Sequence, residues 1–258
     1  MIIDNSLSPI MFEVGPLELR WYGVLFASGL IVAYLINMWA FKKKGLKLEN
    51  LDSLATYLFF GVVIGARLGE VLFYEPGYYF DNPAEIVKVW KGGLASHGAT
   101  VGLFLTYLLW CKVKNFKFGK HIDAVALGIP VAAAFVRIGN FFNSEIVGKA
   151  TGGDYGVIFN GESFARHPAQ LYEGFWSLAV FAILLFVFKK WYKKMPEMSL
   201  MFLYIFLYFG GRFLIEFVKD VNTLPDSFVI NNGQLLSLFP IVAALVYFAW
   251  YFPKQLKK

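Results

Sequence analysis

"AVALGIPVAAAFV" (Ala124–Val136) runs directly into "RIGNFFNSEIVG" (Arg137–Gly148), and this junction decides how the chain is read. The first part is apolar throughout; the second packs an arginine, two asparagines, a serine and a glutamate into nine residues. Sitting in lipid does not require Arg137, Asn140, Asn143 and Glu145 at the end of such a run, so these side chains point to chemistry at the edge of a membrane.

Composition supports the lipid setting. Of 258 residues, 58% are hydrophobic and 16% charged, whereas soluble domains carry about 25% charged residues. The reading is an integral membrane protein. The first twenty residues lack a basic n-region and a long apolar core, so no cleavable signal peptide is expected. Cys111, the single cysteine, excludes an intramolecular disulfide and a multi-cysteine metal site.

Apolar runs of about 20 residues cross a bilayer core, and seven are predicted: Trp21–Phe41, Leu51–Phe73, Ser96–Cys111, Asp123–Ile138, Ala169–Phe188, Leu200–Val218 and Gln234–Phe252. The basic stretches KKKGLK (from Lys42), KVKNFKFGKH (from Lys112), KKWYKK (from Lys189) and KQLKK (from Lys254) hold 15 of the 24 Lys and Arg. Short basic loops stay cytoplasmic, which places the N-terminus outside and the C-terminus inside. The net charge of +6 is therefore a topology signal, and no nucleic-acid surface is expected. Residues 139–168 form the longest outer connection. Within it, "YGVIFNGESF" reads as two strands around Asn160-Gly161, the preferred pair of a type I′ hairpin, and predicts a small β-cap. "PAEIVKVW" (Pro83–Trp90) predicts a short interfacial helix. Gly61, Gly65 and Gly69 recur every four residues and predict a close helix contact.

Charged residues within spans cost about 2.5–3.5 kcal/mol each on insertion scales, so they are paired or functional. Here they are Arg67, Glu70, Arg137, Glu173, Arg212 and Glu216, all in the outer half; Asn37 is the main polar residue of the inner half. Arg67/Glu70 and Arg212/Glu216 share helix faces and can pair. Arg137 has no acid at i−4 or i−3, so its partner is distant or a ligand. "GGLASHG" brings His97 beside Gly98, where glycine permits close backbone approach. "RHPAQLYEG" sets Gln170 and Glu173 one turn apart, and "RWYG" opens the first span with Tyr22. His121, in a basic loop beside Lys120, is expected to be solvated. His97 and His167 lack zinc-protease spacing.

Four motifs together carry a resemblance. "RIGNFFNSEIVG" matches the pattern G-R-x-G-N-F-x-N-x-E-x-x-G, with Val136 in place of the first glycine. "KGGLASHGA", "RHPAQLYEG" and "YFGGRFLIEFVKD" are similar to H-G, H-P-S-Q-L-Y-E and R-F-x-x-E-F-x-R segments, with Ala169 for serine and Lys219 for arginine. From about Arg20 to Asp220 the chain resembles the prolipoprotein diacylglyceryl transferases. That resemblance implies an all-α integral membrane protein with seven transmembrane helices. It would form a single polytopic domain over residues 1–258, with an extracytoplasmic cap (139–168) between spans four and five, in the bacterial cytoplasmic membrane. It implies transfer of the diacylglyceryl group of phosphatidylglycerol to the lipobox cysteine thiol of a preprolipoprotein signal peptide, with glycerol phosphate released.

The residue types suit that reaction. A thiol needs a base, for which His97 is the candidate. Arg137 and Arg212 suit a phosphate leaving group, and Asn140 and Asn143 offer amide donors. Glu145 and Glu216 can orient the arginines, Tyr22 can donate to phosphate or glycerol, and Gly98 can admit substrate. Cys111 is on the wrong leaflet for an enzyme thiol intermediate. No cofactor or metal is expected; the partners are the two substrates and membrane lipids. The alternative is a transporter or channel for an anionic lipid or solute, which favours midplane sites and broken repeats. An intramembrane protease lacks its motifs.

Overall fold

The computed structural model describes residues 1–15, 17–220 and 230–256; the last two lysines of the KQLKK run lie outside them. In chain order the elements are β1 (Ile2–Asn5), β2 (Ile10–Val14), β3 (Leu17–Arg20), α1 (Trp21–Lys43), α2 (Leu48–Gly69), α3 (Pro76–Asp81), α4 (Ser96–Val113), α5 (Gly119–Ala126), α6 (Ile129–Phe142), β4 (Gly156–Phe159), α7 (Ala169–Trp191), α8 (Ser199–Ile215), α9 (Asn232–Val246) and α10 (Phe252–Leu256). Among the described residues, five helices are long and apolar enough to cross a membrane, and the pair α5–α6, bent by 42°, makes a sixth if counted as one span. The protein is a multi-pass, mainly helical membrane protein. α4 falls short of that apolarity because Ser96 and His97 open it and Lys112 closes it.

The bend has a local cause. Pro130 in the first turn of α6 removes a backbone donor, and the Gly128 N–H is shared between Asn37 Oδ1 at 3.0 Å and the Val125 carbonyl at 3.1 Å. Asn37 thus serves the break in the predicted fourth span.

The chain forms two compact units, Met1–Ala40 with Ile122–Lys258, and Phe41–His121. In the second unit α2 and α4 interlock through glycine. A Cβ on Gly98 would stand 2.3 Å from the Gly65 carbonyl oxygen, and one on Gly102 would stand 2.1 Å from that of Gly61. The predicted glycine face is therefore a helix contact. Gly98 belongs to it: its missing side chain admits α2.

Arg67 does not pair with Glu70. Its buried guanidinium donates to the backbone carbonyls of Ile86 (2.8 Å), Gly92 (2.7 Å), Gly93 (2.9 Å), Glu85 and Lys88, and to the Tyr79 hydroxyl. A loop carbonyl cage replaces the acid, tying α2 to the segment that leads into α4. "PAEIVKVW" is two 3₁₀ turns, Pro83–Glu85 and Val89–Lys91, not one helix. Hydrogen bonds from Lys88 and Lys91 pull the Glu85 carboxyl down to about 2, clasping those turns together.

His121 is buried, not solvated, among Phe41, Trp110 and Phe116, with both ring nitrogens unpartnered among the described residues. Its apolar neighbours outweigh the basic sequence around it.

In the first unit, α6 packs on α7, α7 on α8 and α8 on α9. Asp123, on α5, is a further buried charge. Its buried carboxylate accepts the N–H groups of Met198 (2.9 Å), Leu200 (2.9 Å) and Met201 (3.1 Å), capping α8. "YGVIFNGESF" does not form a regular hairpin. β4 pairs in parallel with β1, Ile2 opposite Gly156, and bridges back only through Val157 and Arg166. Of the turn pair, Gly161 alone has positive φ (83°), and Glu162 N–H closes on Phe159 O at 3.0 Å. That is the φ signature of a type II turn; type I′ needs both central residues positive.

Candidate active site

α6 delivers Arg137 and Asn140 on one face, and the chain then reverses tightly. Ser144 (φ 54°) and Ile146 (φ 56°) both adopt the left-handed conformation, which is costly for a β-branched residue. The surroundings hold it. Gln170, fully buried at the start of α7, donates to the Glu145 carbonyl, and Glu145 N–H donates to Asn140 O at 3.0 Å. From β1, buried Asn5 donates to the Phe141 carbonyl at 3.2 Å. The reversal turns the Glu145 carboxylate back onto the helix end. Oε2 there accepts from Asn140 Nδ2 (3.1 Å) and Oε1 from Asn143 Nδ2 (2.8 Å), while Asn140 Oδ1 accepts from Arg137 Nη1 (3.2 Å). Glu145 is therefore linked to Arg137 through Asn140.

Arg137, whose partner the sequence leaves open between a distant residue and a ligand, meets Glu173 on α7, with Nε 2.6 Å from Oε2. The other Glu173 oxygen meets Lys219 Nζ at 3.2 Å, and Lys219 meets Glu216 Oε2, also at 3.2 Å. Glu216 does not pair with Arg212, its expected i,i+4 neighbour. Its carboxylate lies against Gly233 in the first turn of α9, where a Cβ would stand 2.2 Å from Oε1, and a helix N-terminus favours an anion. Arg212 is left with a buried Nε that has no hydrogen-bond partner among the described residues. Tyr22 packs its ring on Gly139, where a Cβ would come within 2.8 Å. In the connection itself, Arg166 donates to both Glu162 oxygens at 2.7 Å and to Asp220. Glu162 and Asp220 push its pKa above the ordinary arginine value, against the opposing effect of burial.

His97 and Gly98 belong to the other unit. His97 is exposed, its Nδ1 3.3 Å from the Tyr74 hydroxyl. It stands at one end of an apolar groove of about 860 Å³ that runs along α2 and α4 past Leu68, Val101 and Leu105. The predicted residues thus divide. Arg137, Asn140, Asn143 and Glu145 form one network, Glu216 joins it through Lys219 and Glu173, and Tyr22 packs on its helix. Asn5 is not singled out in the sequence; Gln170 is named only for its spacing and Lys219 only as a departure from the pattern. Glu173 was noted without a role; its spacing from Gln170 was the available signal, as was Lys219 three residues after Glu216. No metal-binding cluster of His, Cys, Asp or Glu occurs among the described residues.

The family model for prolipoprotein diacylglyceryl transferase matches residues 9–250. The chain belongs to the prolipoprotein diacylglyceryl transferase family. A phosphatidylglycerol–prolipoprotein diacylglyceryl transferase of Tolumonas auensis is 39% identical over 252 residues, covering 95% of this chain and 96% of its own. Proteins of the same name from Bacteroides fragilis and Ehrlichia ruminantium are 34% and 35% identical, covering 98% and 93% of this chain and 96% and 95% of theirs. Two departures from the transferase pattern now have positions. Ala169 is fully buried at the first residue of α7, and Lys219 joins the two buried acids.

Proposed function

We propose that the protein transfers the diacylglyceryl group of phosphatidylglycerol to the lipobox cysteine of a preprolipoprotein. The observation that carries this reading is the site's unequal use of its arginines. Arg137 meets Glu173 through Nε and Asn140 through Nη1 and also bonds the Tyr208 side chain, three contacts on a guanidinium that carries five N–H donors, and Arg212 keeps an unpartnered Nε among the described residues. Held guanidinium groups with donors to spare suit a phosphate that gains charge as it leaves.

In the transfer, the cysteine thiol gives its proton to a base, for which His97 is the candidate. The thiolate sulfur attacks the glyceryl carbon, a carbon–sulfur bond forms, and the carbon–oxygen bond to phosphate breaks. The bonding pair leaves with glycerol phosphate, whose charge Arg137 and Arg212 receive. Asn140 and Asn143 face the head group, Glu145 fixes both amides, and Tyr22 donates to phosphate or glycerol. The step balances without a cofactor.

The chain would act as one polytopic domain of the bacterial cytoplasmic membrane, N-terminus outside and C-terminus inside. Its seven spans would include α4 and the bent α5–α6 pair, with residues 139–168 as the extracytoplasmic cap. The deciding experiment mixes purified protein, phosphatidylglycerol and a lipobox peptide and reads the peptide's mass. A gain of one diacylglyceryl group is expected. An unchanged peptide, with labelled lipid or anion moved across vesicles instead, would favour the transport alternative.

A further inference from the structure

Lys219 occupies a costly position. It is buried between two buried carboxylates, Glu173 and Glu216, with 3.2 Å to each, and a buried ammonium is tolerated only when paired. Its backbone is fastened as well. Gly148 and Lys219 form a β-bridge, Lys149 N–H donates to Val218 O at 2.8 Å, and Asp220 N–H donates to Val147 O at 3.2 Å. These bonds bind the α8 end to the segment that follows Glu145.

Each carboxylate that Lys219 engages also lies within reach of a site arginine by helix or by sequence. Glu173 already touches Arg137 through one oxygen, and Glu216 is one turn from Arg212. We propose that Lys219 is a positioning residue. By taking one oxygen of Glu173 and one of Glu216, it confines Arg137 to a single-oxygen contact and keeps Glu216 off Arg212, so that both guanidinium groups stay open to the lipid phosphate. Without it, both acids would turn on the arginines bidentately, the geometry guanidinium prefers, and an internal carboxylate would compete with the substrate anion. An arginine here would serve the same end, because it too carries charge and several donors.

The inference rests on the proposed phosphate-binding role of Arg137 and Arg212, and the test separates the two. Phosphatidylglycerol binding to the purified full chain is measured in neutral detergent micelles, with a thermal midpoint for each variant. Lys219→Met should weaken lipid affinity by about tenfold or more, the scale of losing a desolvated charge contact. The charge-balanced pair Glu216→Gln/Lys219→Met should weaken it too, because Glu173 is still released onto Arg137. Lys219→Arg should bind close to wild type.

Wild-type affinity in either methionine variant, at a retained midpoint, would overturn the role of Lys219. So would failure of both methionine variants to insert while Lys219→Arg inserts but binds weakly. Arg137→Lys is the control. If it also binds like wild type, the phosphate-clamp reading fails; if it alone loses affinity, only the inference about Lys219 fails.

Discussion

Arg137 on α6 and Glu173 on α7 meet at 2.6 Å, and the same glutamate reaches Lys219 through its other oxygen. One carboxylate thus sets where two cations stand. Removing one partner of a buried pair costs about 3–5 kcal/mol because the other charge is stranded, so this contact must be kept when function is probed.

Arg137→Lys and Arg212→Lys retain charge but lose the planar fork. A lysine at 137 cannot hold Glu173 and Asn140 together and still offer a donor to phosphate. Transfer to a lipobox peptide should fall in both, by the equivalent of about 2–5 kcal/mol for a lost desolvated contact, while insertion is unaffected. Near-wild-type transfer by Arg137→Lys would return that residue to a structural role.

His97→Gln should leave phosphatidylglycerol affinity nearly unchanged and lower turnover by about 10²–10⁴, the range for losing a general base. Raising the pH should partly restore the rate, because more substrate thiol ionises unaided. A residual rate that stays flat with pH would instead make His97 an orienting group, held by its 3.3 Å contact with Tyr74.

Gly98→Ala should cost stability before it costs chemistry. The new methyl meets the Gly65 carbonyl at 2.3 Å, and backbone cannot swing aside as a side chain can. Forcing an extra carbon into a packed contact costs about 1–3 kcal/mol, so a lower thermal midpoint in detergent is expected. An unchanged midpoint would show that α2 and α4 do not rely on this contact.

Cysteines introduced at Asn160 and at Lys193, in a Cys111→Ser background, test orientation. An impermeant maleimide added to intact cells should label position 160 and not position 193; the opposite pattern would invert the topology. The background itself should keep most of its transferase activity, since Cys111 is buried in the unit that does not hold the arginine network. Loss of transfer in correctly inserted Cys111→Ser would implicate an enzyme thiol.

Much of the site was legible in sequence because its residues are contiguous. Arg137, Asn140, Asn143 and Glu145 lie within one helix end and the turn after it, so the spacing that named them also brings them together. Arg212 and Glu216 show the limit of that logic. Four-residue spacing permits their pairing, yet Glu216 has Lys219 and the N-terminal turn of α9 as competing partners, and these prevail. Arg67 likewise left Glu70 for a loop whose carbonyls no helical periodicity encodes.

By itself, the sequence determined the membrane class, most of the helices and the transferase family, because hydropathy adds up locally and motifs are read along the chain. The tertiary structure alone decided which buried charges are paired, where the fourth predicted span breaks, why His121 is dry and why the first strand lies parallel to β4. His121 is dry because packed aromatic rings enclose it; the other three share one physical reason. A buried polar group takes whichever partner the packed helices and strands bring within about 3 Å, and the sequence on one side of a contact does not say which element will supply the other.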